Sequence, residues 1–159
     1  MKETTSPLYF LLSDETISFE IRKDGEIVEI KRENKSTTLQ THVEKSGYQE
    51  TMGGSVIRYD LYHIQNKSLV PLENFYLHES LPADAAYITR LFTGTFNQNL
   101  NYTIYYKTNK TGSFKALQDN LFTNKVYEID CTKGLMAGEY ITDIKYEFGT
   151  VDVGFCEVE

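Results

Sequence analysis

The chain has 159 residues, of which 40% are hydrophobic and 25% charged, and its net charge is −7; this suits a soluble globular protein of one domain, or of one domain and a fragment of another. The negative charge and the scattered Lys and Arg argue against a nucleic-acid partner, because phosphate contacts need clustered cations. No stretch approaches the roughly 20 apolar residues of a membrane helix, so we expect no membrane insertion within this segment.

The first part of the chain, residues 1–36, is predicted to form a β-hairpin. Residues 17–22 alternate apolar and polar side chains, and Asp24-Gly25 follows them. This dipeptide is a strong hairpin signal because both residues tolerate a positive φ. The apolar run at residues 7–12 is too short for a signal peptide, so we expect an export signal to lie outside this segment.

The second unit, residues 37–159, shows the pattern of an antiparallel β-sandwich, Ig-like or jelly-roll-like. Residues 114–121 have a helix-like spacing of apolar side chains, which predicts a helical turn or an irregular loop. Elsewhere, Gly and Asn clusters separate seven or eight short segments rich in Tyr, Phe and β-branched residues. The whole chain is therefore predicted to be all-β, with an N-terminal hairpin joined to a sandwich.

Alternation within these strands predicts which side chains face the core. The residues expected in the core are Leu61, Phe75, Leu77, Leu91, Ile104, Tyr106, Ile129, Ile141, Ile144 and Phe148. We expect hydrocarbon and rings to fill the interior and leave no pocket equipped for chemistry. Three tyrosines, Tyr62, Tyr76 and Tyr105, form a platform for sugar rings or a protein partner if they share one exposed face. The alternative is that the tyrosine rings merely cover a sheet, with their hydroxyls in water.

Metal ligands and cofactors are not expected. The histidines stand on separate predicted strands without the close spacing of zinc ligands: His42, His63 and His78. A calcium site would have to combine scattered carboxylates, which are typical of a solvated face: Asp60, Glu73 and Glu79.

The two cysteines, Cys131 and Cys156, leave two interpretations open. They are free buried thiols, or they pair if their strands are neighbours. Nothing in the surrounding sequence marks either thiol as an activated nucleophile.

Two stretches resemble modules of bacterial surface proteins. Residues 11–40, LLSDETISFEIRKDGEIVEIKRENKSTTLQ, resemble the last two strands of a collagen-adhesin B-type (prealbumin-like) domain, a stalk module of Gram-positive surface proteins. Residues 41–159 resemble an uncharacterised clostridial type of surface repeat module. The resemblance rests on four features that follow one another along the chain: Lys45, Gly53-Gly54, Asn66 and Leu81-Pro82. The resemblance implies an exported multi-domain parent at the cell wall, with neighbouring domains as partners.

The same resemblance raises the question of a Lys–Asn isopeptide bond, which stalk modules of this kind can form. Lys45 stands where a donor lysine is expected, but residues 143–159 contain no Asn. Asn34 is a candidate acceptor for the preceding domain. The bond needs the amine, the amide and a protonated carboxyl group to be buried together.

We therefore predict a non-enzymatic structural or adhesive module of a bacterial cell-surface protein, whose ligand the sequence does not identify. A host or cell-wall glycan or protein is a candidate partner. The first alternative is a carbohydrate-binding module that uses the exposed tyrosines. The second is a hydrolase that depends on one of the cysteines. The N-terminal hairpin has an open edge, so we expect it either to pack on the sandwich or to pair with another chain through that edge.

Overall fold

A computed structural model of the chain describes residues 10–11, 16–18, 20, 23, 25, 27, 29, 35–47, 51–82 and 85–158. The described residues are all-β, as predicted, and contain no helix that could span a membrane. The N-terminal hairpin, its edge pairing and Asn34 lie largely or wholly outside these residues. The strands are β1 Thr41–Gly47, β2 Tyr59–Asn66, β3 Leu72–Ser80, β4 Arg90–Phe92, β5 Thr95–Phe96, β6 Asn101–Thr108, β7 Lys115–Phe122, β8 Glu128–Asp130, β9 Ile141–Val151 and β10 Glu157–Val158.

The largest element is a four-stranded antiparallel sheet in the order β3-β9-β6-β7. Strand β9, with 11 residues, is the longest and lies between β3 and β6. Its buried side chains alternate with partly exposed ones, so that Ile144 and Phe148 face the core while Lys145 and Glu147 face outward. This alternation gives the sheet one apolar face and one polar face.

Three two-stranded sheets, β1-β2, β4-β8 and β5-β10, supply the remaining strands. A backbone hydrogen bond joins the β1-β2 hairpin to the C-terminal segment: the Asn66 N–H donates to the Phe155 carbonyl at 2.8 Å. The Asn66 side chain also donates to the carbonyls of Val70 and Asp152. The arrangement is sandwich-like, as the sequence predicted.

The core is dominated by a cluster of phenylalanine rings. Phe155 is fully buried and stacks on Phe96, with ring centroids 4.8 Å apart. The ring centroids of Phe148 and Phe75 lie 5.6 Å and 5.7 Å from that of Phe155. Offset and edge-to-face ring pairs of this kind contribute beyond the area that they bury.

Most of the predicted core is confirmed. Five of the predicted residues are buried: Phe75, Ile104, Ile141, Ile144 and Phe148. Four more are partly buried against them: Leu77, Leu91, Tyr106 and Ile129. Leu61 is only half-buried, and the sequence analysis did not identify Phe96 or Phe155.

The prediction of a helical turn or loop at residues 114–121 is wrong. Strand β7 covers most of this segment and pairs with β6. Leu117 packs against the core and Leu121 is buried, whereas Phe114 contacts the outward-facing Lys107. In a strand without bulges a spacing of four, being even, keeps two residues on one face, as it does in a helix. The spacing therefore did not separate the two possibilities.

Three strands contain residues with a positive φ that are not glycine: His63 in β2, Asn74 in β3 and Asn120 in β7, with φ of 55°, 54° and 54°. Each lies where the pairing register shifts. A β-bulge of this type places an extra residue in one strand and re-aims the neighbouring side chains. His and Asn are among the residues most often found in this conformation.

Candidate functional site

The outer face of the four-stranded sheet carries two of the three tyrosines that the sequence suggested as a platform, Tyr76 and Tyr105. Tyr76 on β3 and Tyr105 on β6 lie on either side of Lys145 on β9, whose Nζ is 5.5 Å and 5.3 Å from their ring centroids. Tyr76 is 58% exposed. A third ring, Phe114, lies 5.5 Å from the same Nζ. We call these four residues the tyrosine face.

Charged groups surround the tyrosine face. Glu147 Oε2 lies 2.5 Å from Lys145 Nζ. On the neighbouring strand, His78 Nε2 lies 3.0 Å from Asp143 Oδ1. Because the sheet presents amines and carboxylates between flat rings, its outer face offers both hydrogen-bonding groups and apolar surface.

Asp143 is held ionised beside these rings. Its partial burial acts to raise the pKa of the carboxyl group, but three hydrogen bonds together outweigh that effect and lower it. The hydrogen-bonding partners are Thr142, His78 and Ser80, and the Lys107 cation adds to their effect. The carboxylate is therefore an acceptor throughout the neutral range.

Tyr62 does not share this face with Tyr76 and Tyr105. It lies on β2, where its ring meets the His63 ring edge-on at 4.9 Å. A hydrogen bond with Glu44 raises the pKa of Tyr62. Two of the three tyrosines named from the sequence therefore form one surface, and the third belongs to another.

That second surface holds a cluster that the sequence analysis missed. His42 Nε2 lies 2.9 Å and His63 Nδ1 lies 3.0 Å from the same oxygen, Glu44 Oε1. The two imidazole rings are stacked, with centroids 6.5 Å apart. We call His42, Glu44 and His63 the His–Glu cluster. His42 and Glu44 are two residues apart on β1, but His63 follows 19 residues after Glu44, and only the pairing of β1 with β2 brings it to them.

The hydrogen bonds of the His–Glu cluster act strongly on its carboxylate. Those from His63 and His42, with a further one from Tyr62, lower the pKa of Glu44 to about 2. Among the described residues, this is the group of His, Cys, Asp and Glu side chains whose ligand atoms lie close enough to share one metal ion.

The other carboxylates that were considered for calcium do not gather. Asp60 pairs with Arg58 at 2.9 Å, Glu79 contacts the Lys45 amine, and Glu73 is exposed on β3. The third histidine, His78, lies on a different sheet from the His–Glu cluster.

A cleft of about 750 Å³ separates β2 from the inner face of the main sheet. Its lining includes Leu77, Tyr102, Ile144 and Tyr146. The interior is thus not completely filled, contrary to the expectation from the sequence, because alternation within strands does not determine how closely two sheets approach. Burial raises the pKa of Tyr102, although a Thr93 interaction acts in the opposite direction.

The candidate isopeptide lysine is not in a buried apolar setting. The Lys45 side chain is 43% exposed, contacts Glu79 and lies 4.8 Å from the centroid of the Tyr59 ring. Its suggested partner, Asn34, lies outside the described residues.

Both cysteines are free thiols. Cys131 is buried, and burial raises the pKa of its thiol to about 12. A nucleophilic cysteine needs the opposite shift, because the thiolate is the reactive form. Cys131 lies in the hydrophobic core cluster, where the protonated thiol is favoured.

Comparison with known proteins identified no relative: no protein-family model, curated protein or solved structure matches the chain.

Proposed function

We propose that this chain is a non-enzymatic, adhesive module of a bacterial cell-surface protein and that its tyrosine face binds an oligosaccharide. The observation that carries the proposal is the placement of Tyr76 and Tyr105 on either side of Lys145 on one open sheet face. The surface location is an inference from the sequence resemblance alone.

The chemistry of the tyrosine face suits a sugar ring. The C–H groups on one side of a pyranose ring are apolar and pack on an aromatic ring, whereas the hydroxyls around its rim need hydrogen-bond partners. Tyr76 and Tyr105 offer two such platforms. The carboxylates of Asp143 and Glu147 accept hydrogen bonds from hydroxyls, and Lys145 donates them.

The strands that carry the tyrosine face are packed against the core on their opposite side. Three of the residues of that face, Tyr76, Lys145 and Tyr105, are held by the adjacent strands β3, β9 and β6. On the inner face these strands place Ile104 and Ile144, which are 0% and 1% exposed. A rigid sheet that fixes the side chains before a ligand arrives reduces the entropy lost on binding.

The experiment is a glycan array screen with the whole chain, followed by calorimetry with the best oligosaccharide. Tyr105→Ala and Tyr76→Ala are each expected to weaken binding about five- to thirty-fold, because one lost ring contact is worth about 1–2 kcal/mol. Tyr105→Phe keeps the ring and is expected to retain most of the affinity.

Tyr87→Ala is the matched control. Tyr87 is 59% exposed, like Tyr76, but its ring contacts Tyr140 and lines the cleft on the other side of the sheet. Its loss is expected to leave binding unchanged. Equal weakening by all three alanine variants, or no glycan binding at all, would reject the tyrosine face as the site.

The cell-surface part of the proposal has its own test. The gene that encodes the parent protein is expected to specify an export signal and a means of attachment to the cell wall. A parent without either would remove the cell-surface assignment and leave the glycan-binding proposal to the array.

A further inference from the structure

The His–Glu cluster lies on the outward side of the β1-β2 hairpin, on a different sheet from the tyrosine face. Its side chains come from both strands: His42 and Glu44 from β1, and His63 from β2. The ligand atoms of the three residues all lie within 4.8 Å of one another. We propose that these three residues bind a divalent late-transition-metal ion such as Zn²⁺.

The distances suit such an ion. Zn–N and Zn–O bonds of about 2.0–2.1 Å place two ligand atoms of a tetrahedral site about 3.4 Å apart. The separations from Glu44 Oε1 to His42 Nε2 and to His63 Nδ1 are 2.9 Å and 3.0 Å. The two imidazole nitrogens lie within 4.8 Å of each other, so side-chain rotations that bring them together around a central ion complete the site.

The types of ligand restrict the choice of metal. Imidazole nitrogens suit Zn²⁺, Cu²⁺, Ni²⁺ and Co²⁺, whereas Ca²⁺ and Mg²⁺ prefer sites made of oxygen atoms. Two imidazoles with one carboxylate is a set that zinc uses with a fourth, non-protein ligand. The cluster is therefore expected to discriminate strongly against Ca²⁺ and Mg²⁺.

A bulge in β2 is what brings His63 to this position. The pairing joins His42 to Gln65 but Glu44 to Tyr62, so that β2 has one more residue than β1 between these pairs. His63 lies in that interval with a φ of 55°. In a regular strand, His63 and Tyr62 would point to opposite faces; here both contact Glu44.

The surroundings favour a cation and allow it to enter. The side chains of His42, Glu44 and His63 are 34%, 42% and 46% exposed, so an ion reaches them without any opening of the fold. The chain as a whole carries a net charge of −7. This exposure also leaves a coordination position for water or for a group supplied by a bound molecule.

The test is zinc titration of the untagged chain, after treatment with a chelator, by calorimetry at neutral pH. One Zn²⁺ per chain is expected, with no response to Ca²⁺ or Mg²⁺. Co²⁺ is expected to give the visible absorption of a low-symmetry site. Imidazole NMR signals report the ligands directly: those of His42 and His63 are expected to shift, and that of His78 is not.

Three variants test the ligand set. Glu44→Gln, His42→Ala and His63→Asn are each expected to weaken Zn²⁺ binding at least about ten-fold. Asn is chosen at position 63 because it tolerates the positive φ, so a loss of binding there does not arise from a lost bulge. Circular dichroism confirms that each variant is folded.

His78→Ala is the matched control, since it removes a histidine of similar exposure that pairs with Asp143 instead. Cys156→Ser controls for binding through the half-buried thiol. The inference is overturned if the wild-type chain binds no Zn²⁺, or if the folded Glu44→Gln and His63→Asn variants bind it as tightly as wild type. Failure of the glycan experiment would not affect this result, because the two surfaces share no residue.

Discussion

Tyr102 combines a well-packed ring with a poorly placed hydroxyl. The residue is 2% exposed, and its ring stacks on Phe148 with centroids 5.2 Å apart. Its hydroxyl interacts with Thr93 but, among the described residues, has no hydrogen bond of ordinary geometry. The ring therefore stabilises the fold, whereas the buried oxygen opposes it.

This contrast predicts the effect of Tyr102→Phe on stability. A buried polar group without a partner costs about 1–3 kcal/mol, so removing only the hydroxyl is expected to leave the free energy of unfolding unchanged or to raise it by about 1 kcal/mol. Tyr102→Ala removes the ring as well and is expected to lower it by about 3–5 kcal/mol. Urea unfolding measures both. If Tyr102→Phe costs more than about 1 kcal/mol, the hydroxyl is satisfied in solution by a bound water or another group.

Alternation of side chains within strands predicted most of the individual elements correctly. In β6 it placed Ile104 and Tyr106 inside and Tyr105 outside, as the structure has them. It failed in β2, where strict alternation puts His63 on the face opposite Tyr62 and Ile64. Ile64 is buried, but Tyr62 and His63 are both turned toward Glu44. The reason is the bulge, because one extra residue reverses the alternation and no local pattern in the sequence marks its position.

The bulge in β7 makes a prediction about this element. Asn120 has a φ of 54° and lies between the pairs Tyr102–Leu121 and Ile104–Gln118. A β-branched residue is strained there, so Asn120→Val is expected to lower the free energy of unfolding by about 1–2 kcal/mol. Asn120→Gly is expected to have little effect, because glycine adopts this conformation without strain.

Gln118→Val provides the control for that experiment. Gln118 is exposed on the same strand and has no positive φ, so valine is expected to be tolerated or slightly stabilising there. Urea unfolding of the three variants measures the difference. Equal stability of Asn120→Val and Gln118→Val would mean that β7 pairs with β6 without this bulge.

At the scale of the whole molecule, both candidate surfaces depend on strand pairings that join distant parts of the sequence. The tyrosine face needs β3, β9 and β6 to be neighbours, an order that does not follow the chain. The His–Glu cluster needs the register of β1 on β2. Sequence reasoning identified Tyr76 and Tyr105 because each faces outward from its own strand. It could not identify Lys145 as the residue between them, since that depends on the order of strands in the sheet.

Tyr102, which is buried, and Tyr146, which is partly buried, predict how the whole fold responds to high pH. Burial raises the pKa of both Tyr102 and Tyr146 above the value of about 10 found in unfolded chains. A group whose pKa is raised by folding stabilises the native state fully below the unfolded pKa, and this contribution is lost as the pH rises toward the folded pKa. Stability is therefore expected to fall with increasing pH above about 10.

Absorbance of tyrosinate and circular dichroism, followed together, measure this response. Most of the 12 tyrosines are expected to ionise while the β-sheet signal is intact, and a minority only as that signal is lost. Tyr102→Phe removes one buried phenol and is expected to shift alkaline unfolding to higher pH, whereas Tyr87→Phe, at an exposed position, is expected to leave it unchanged. If all the tyrosines ionise near pH 10 while the sheet signal persists, then the cleft beside Tyr102 and Tyr146 admits enough water to solvate both phenolates in the folded protein.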